Sequence, residues 1–356
     1  MSATTTSITT TAMASSTQTC TNPKPGKNGY LPPEACDVIL LYVPSLAAAV
    51  LFCVLYGLTL ISHGVQAYIF KKRYTWVVMM GATWELLAFI FRALLTQQQN
   101  NSGYDTSYTI LFLLAPLWIN AFLYMTLGRL IYFFIPDQKL AGITAKRYGR
   151  IFIWLDIIAF LVQLAGAFIT TETGVPTSTI MMGVHIYMGG IGLQEFFVLI
   201  FTGLTIYLHR TMIHLEWEGR LDQERLNQTA VPWRWMFYTM YTVLGMISIR
   251  IIFRLAQYAQ GTSPSNPVLT HEAYDYVFDA VPMFVALVGL NIVHPGLVLV
   301  GPDSEFPRVS RQEKKQIKKE KKAAKAERKA AKKEAKRKTQ GSDSYEFLVV
   351  QEEGRV

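Results

Sequence analysis

The residues with the most chemistry to offer are ionisable side chains set inside long apolar runs. Glu85 and Arg92 lie seven apart in one run and share a helical face; Asp156, Gln163 and Gly166 do so in another, and Arg250 and Arg254 stand one turn apart in a third. His185 and Glu195 occupy a further run, and Asp279 the last. A charge at the centre of a bilayer costs about 2.5–3.5 kcal/mol on insertion scales, so each of these groups must face a protein interior and find a partner or a wet cavity. Carboxylates and guanidiniums gathered in this way can bind a charged headgroup, and a buried acid such as Asp156, with Gln163 beside it, can relay a proton.

The elements that must position these groups are seven runs, each near the 20 residues that span a hydrocarbon core of about 30 Å. They are Val38 to Ser62, Tyr74 to Leu95, Tyr108 to Ile135, Ile151 to Ile169, Ile180 to Leu208, Trp235 to Tyr258 and Tyr276 to Val300. Their apolar character is continuous rather than alternating, which predicts helices and not barrel strands. The composition agrees: 51% of the 356 residues are hydrophobic and only 17% charged, where a soluble domain carries charge on about a quarter. The expected fold is therefore all-α and integral to a membrane, with seven transmembrane helices.

Charge in the connections predicts an orientation. Lys71, Lys72 and Arg73 follow the first run, Lys139, Lys146, Arg147 and Arg150 the third, and Arg210, Arg220, Arg225 and Arg234 the fifth, whereas Thr96 to Ser107, Thr170 to Thr179 and Ala259 to Asp275 hold no Lys or Arg. The positive-inside rule places the N-terminus outside and the C-terminus inside. Asn100, in Asn100-Asn101-Ser102, then falls in the first external loop as a glycosylation acceptor, while Asn227 falls inside.

Three regions follow: a Ser/Thr/Pro-rich extracellular segment over 1–37, the helical domain over 38–300 and a basic cytoplasmic tail over 301–356. The first has 13 Ser/Thr between Ser2 and Thr21 and no apolar core of a signal peptide, so the first run acts as the targeting signal. Cys20 and Cys36 within it could form a disulfide, and the three cysteines show no repeated metal-ligand spacing. Glu305 to Gln340 holds 16 Lys/Arg against 5 Glu, so the chain's net charge of +9 belongs to its tail. Beside so apolar a body that charge points to anionic lipid of the inner leaflet and not to nucleic acid.

The orientation also assigns depth. Arg92, Arg250, Arg254, Glu85, Glu195 and Asp279 all come to the middle or outer half of the membrane, as expected of a paired network lining a cavity; His185 joins them near the outer end. His63 and His294 fall at inner ends as interfacial residues, too far from His185 to complete a zinc site, which argues against a metal-dependent lipid hydrolase and for a protein with no metal or cofactor. No phosphate-binding GxxxxGK[ST] loop is present, so movement of a substrate would be downhill, coupled to protons through Glu85, Asp156, Glu195 or Asp279, or driven by a partner. The small residues Ala47, Ala48, Ala49, Gly57, Gly189, Gly190 and Gly192 suit close helix contact.

From Tyr42 to Gly296 the chain resembles the fungal lipid-translocating exporter, or RTA-like, family. The resemblance is carried by Tyr42-Val43-Pro44-Ser45-Leu46, His63, Gln66, Gly81, Glu85, Arg92, Ala115-Pro116, Tyr124, Gly128-Arg129, Asp156, Gln163 and Gly166. It continues through Gly189-Gly190-Ile191-Gly192-Leu193-Gln194, Arg250, Arg254, Gln260-Gly261, Glu272, Tyr276, Asp279 and His294-Pro295-Gly296. Gln257 departs from it, since the family usually has a glutamate there. The resemblance implies a seven-helix protein of the plasma membrane, or of the endoplasmic reticulum or vacuole, that moves or confers resistance to amphiphiles such as sphingoid bases or sterols. The alternative it leaves open is a seven-helix lipid-sensing receptor or regulator of lipid asymmetry. A homo-oligomer is compatible with either.

Overall fold

The computed structural model describes Lys24, Gly26, Leu31, Ala35, Ile39, Leu40, residues 42–170, 176–259 and 266–307, and scattered residues between 316 and 327. Cys20, Cys36 and Lys314 lie outside the described residues. Seven helices are long and apolar enough to cross a membrane: span one Leu46–Phe70, span two Arg73–Gln97, span three Ser102–Phe134, span four Ala145–Thr170, span five Thr177–Trp217, span six Trp233–Ala259 and span seven Glu272–Leu297. The only sheet among the described residues is an antiparallel pair, Lys139–Leu140 with Ile143–Thr144, in the connection after span three. The chain is thus an all-helical integral membrane protein. Each span packs on the next, and span seven returns to pack on span one.

Local chemistry moves the ends of span one. Helix begins at Leu46, eight residues later than the apolar run, because Pro44 precedes Ser45, whose Oγ accepts from the Ala48 N–H at 3.3 Å as the N-cap. It continues through His63 and Gln66 to Phe70 and stops at Lys71, which adopts a left-handed conformation at φ 53° and closes the last turn onto Ala67. Span five runs 41 residues, about 60 Å at helical rise, so its Arg210 to Trp217 end projects past the apolar run.

Glycines seat span four against span five. A Cβ on Gly166 would come within 2.7 Å of the Gly183 carbonyl, and one on Gly190 within 2.7 Å of the Gln163 backbone nitrogen. Gly57, Gly189 and Gly192 face open space instead, so the expected contact role holds for Gly190 alone of these four. His63 and His294 are fully buried rather than interfacial, and His294 stacks on Phe70 with ring centres 4.8 Å apart.

The two ends of the bundle differ. At one, Lys72 Nζ donates to Gly301 O and Ser304 Oγ, Arg225 donates to Phe133 O, and Ala230 N–H to Leu297 O. This end carries the basic connections. At the other, Ile39 N–H donates to Gln99 O and Ser45 N–H to Glu272 Oε2. If the positive-inside rule sets the orientation, glycan or protease mapping of the full chain will find Asn100 outside and Lys314 inside; both on one side would overturn it. The described tail residues, Gln316 to Glu327, are helical and exposed.

Candidate functional site

Two prolines shape the charged centre. Pro116 lies inside span three and has no N–H, so the carbonyl four residues earlier, Phe112 O, loses its helical donor. Arg250 Nη2 supplies one at 2.7 Å. Pro282 follows a π-helical turn over Tyr276–Ala280, a widening that relieves the clash its ring would make with the preceding turn. Asp279 sits in that turn, and the Tyr56 hydroxyl donates to the neighbouring Ala280 O at 2.8 Å.

Around these breaks the spans bring together an ionic core with buried carboxylates. Both Arg250 and Arg254 are ion-paired through their Nε atoms to the Asp279 carboxylate, and Arg250 Nη1 stands 3.9 Å from Glu85 Oε1. Two cations face two carboxylates, and both acids are wholly buried. The guanidiniums also lie over the Phe112 ring, 4.7 and 5.4 Å from its centre. The expected network of Glu85, Arg250, Arg254 and Asp279 is therefore present, but its carboxylates are enclosed rather than exposed to a cavity.

A hollow of about 250 Å³ opens above this core, lined by Arg92, Asp105, Tyr108, Phe112, Arg254, Gln257 and Asp275 among others. Arg92 is engaged by Glu272 at 2.9 Å and by the Tyr42 oxygen, and its guanidinium lies over the Tyr42 and Tyr108 rings. Burial pushes the Tyr42 phenol up from its usual value, against the pull of the Arg92 guanidinium, so the phenol keeps its proton. It donates to Asp275 Oδ2 at 3.3 Å. Gln257 accepts from Arg254 Nη1 at 3.2 Å and donates to Asp275 Oδ1 at 2.9 Å. The amide thus spans a cation and an anion, where a glutamate would repel Asp275. Asp275 and Asp105 line the hollow and form no ion pair among the described residues.

The remaining expected site residues lie apart. His185 is exposed, two residues from the inward-facing Gly183 and Tyr187 and so on the opposite face of span five. Glu195 is partly exposed and in no ion pair among the described residues. Neither lines the hollow. Asp156, 2% exposed, accepts through Oδ2 from Asn120 Nδ2 at 3.1 Å and Tyr124 OH at 2.9 Å, while Oδ1 has no hydrogen-bond partner among the described residues. Two turns along, Gln163 donates to Gln194 Oε1 at 2.9 Å through the gap that Gly190 leaves. A chamber of about 30 Å³, room for one water, separates this amide pair from Arg250 and Arg254.

The sequence reading missed Asp275, Asp105 and Tyr108 as lining residues, and Tyr42 and Glu272 as partners of Arg92. One signal was available: Glu272 and Asp275 lie one turn apart immediately before the last apolar run, where a helical start would aim both along one face.

Comparison with known proteins agrees with this architecture. The chain is 59% identical over 314 residues to the probable lipid transporter atnI of Emericella nidulans, covering 88% of this chain and 81% of that protein. It is 27% identical to the sphingoid long-chain base transporter RSB1 of Saccharomyces cerevisiae, over 76% of each chain. It is also 27% identical to the protoporphyrin uptake protein 1 of the same yeast, over 60% of this chain and 65% of that one. No solved structure matches. Residues 78–301 match the model of the family described as RTA1 like protein, and the chain belongs to that family.

Proposed function

We propose that this protein translocates amphiphilic lipids bearing a cationic head, of the long-chain-base type, and exports them from the plasma membrane. The observation that carries the reading is the hollow lined by Asp275 and Asp105, which form no ion pair among the described residues, while the arginines beside them, Arg92 and Arg254, are paired to Glu272 and Asp279. An amine entering there gains an ion pair in surroundings less polar than water, where such a pair is stronger. Ile39, Leu40 and Leu269 on the rim suit the start of its hydrocarbon chain. The printed names of the relatives, a lipid transporter and a sphingoid-base transporter, support the same class. The chain acts as a carrier and not as a catalyst.

Asp156 supplies the coupling. Its donors are the neutral Asn120 and Tyr124 of span three, and it forms no ion pair among the described residues, so exchange of a proton is the ionic event open to it. Purified protein in liposomes should speed transfer of a fluorescent long-chain base between leaflets, and a proton gradient should raise the rate. Asp156→Asn should leave downhill transfer intact while removing the response to the gradient. Transfer no faster than in protein-free liposomes would overturn the carrier reading.

A further inference from the structure

A second hollow, about 500 Å³, opens at the basic end of the bundle between the close of span one and the segment after span seven. Its lining is unlike that of the first: Lys71, Lys72 and Arg73 in succession, one acid, Glu305, and the apolar Ile69, Phe70 and Val300. Lys72 is built into the wall, its ammonium donating to Gly301 O at 2.9 Å and Ser304 Oγ at 2.6 Å. An ammonium has three N–H groups, so one is left. Glu305 is turned to the backbone, its Oε1 accepting from the Arg73 N–H at 2.9 Å. The side chains of Lys71 and Arg73 are exposed and form no ion pair among the described residues. Gly296 lets Phe70 pack closely against the segment after span seven, since a Cβ there would run into the Phe70 side chain.

From this arrangement we propose that the basic-end hollow binds the phosphate monoester of an anionic amphiphile, a site separate from the amine-binding vestibule. Lys71 and Arg73 take the phosphate oxygens, the spare N–H of Lys72 a third, and the acyl chain leaves over Ile69, which is 60% exposed. A monoester carries about −1.5 to −2 charges near neutral pH, a closer match to the three cations and one carboxylate than a phosphodiester with a single charge. The apolar rim favours a lipid over free phosphate as the source of that group. The inference goes beyond lipid carriage and holds whether or not the hollow passes its ligand on.

The test is binding to the full-length protein in phosphatidylcholine nanodiscs, read by native mass spectrometry and by thermal shift with short-chain phosphatidic acid, phosphatidylserine and inorganic phosphate as probes. Phosphatidic acid should be retained and should raise the unfolding temperature more than phosphatidylserine does. Lys71→Asn with Arg73→Gln should weaken its binding at least tenfold without altering the lipid-free unfolding temperature, because both side chains are exposed and asparagine tolerates the left-handed backbone at position 71. Stabilisation by inorganic phosphate equal to that by phosphatidic acid, lost in the same variant, would keep the phosphate site and identify its ligand as the soluble anion. Equal retention of all anionic lipids, or binding undisturbed by the double variant, would overturn the proposal in favour of general attraction to the basic tail.

Discussion

Replacing Arg250 with methionine is expected to destabilise the folded protein by about 3–5 kcal/mol, the usual cost of stranding a buried charge. Arg250 is the shared cation of the core: it pairs with Asp279, stands 3.9 Å from Glu85 and donates to Phe112 O. Without it one of two buried carboxylates has no counter-charge and the Phe112 carbonyl has no donor. The measurement is thermal unfolding of purified protein together with its yield in membranes. Adding Glu85→Gln should recover part of the loss, because Arg254 and Asp279 then balance each other. A single variant as stable as the parent, or a double variant worse than the single, would show that the core is not organised around this guanidinium.

Asp275→Asn is expected to reduce transfer of an amine-headed lipid at least tenfold at unchanged abundance, the equivalent of about 1.4 kcal/mol of lost interaction. The amide keeps the shape of the side chain and an acceptor for either Tyr42 or Gln257, and no ion pair is broken, so the cost to folding should be that of one hydrogen bond, about 1 kcal/mol. Asp279→Asn should behave in the opposite way, lowering abundance by leaving Arg250 and Arg254 facing one another across a neutral group. Efflux normalised to the amount of protein at the cell surface separates the two. If Asp275→Asn transports normally, the headgroup is bound elsewhere, with Asp105 the next carboxylate to test.

Sequence alone revealed a great deal of this. Continuous apolar runs and the alternation of basic and neutral connections pointed to seven helices, and the seven-residue spacing of Glu85 and Arg92 to inward-facing charge. What could not be read was lateral position. Depth along a helix axis follows from counting residues, but whether Asp279 meets the cavity or the arginines depends on which spans adjoin. A boundary error of one turn also mattered: starting the last run at Tyr276 assigned Asp275 and Glu272 to a loop, when the helix begins at Glu272 and carries both into the bundle. Conversely, Tyr42 was counted inside the first run but precedes the Ser45 cap, which leaves it free to fold over Arg92. The arginine bonded to Phe112 O had no signature beyond Pro116 itself.

That bond has a mechanical consequence. Below Pro116, span three is buried almost continuously from Ile119 to Phe134, whereas above it only Phe112 and Ala115 are buried. The lower half is enclosed on most sides, while the upper half is tied down at a few points: Phe112 O to span six, and Tyr104 and Tyr108 to span two by ring contacts. Tyr108, Thr109 and Phe112, which line the first hollow, all lie on that upper half. Outward movement of that half would either carry span six with it or break the bond from Arg250 to Phe112 O, leaving the carbonyl to find water. Widening of the hollow would thus be coupled to hydration through the same guanidinium that neutralises the core.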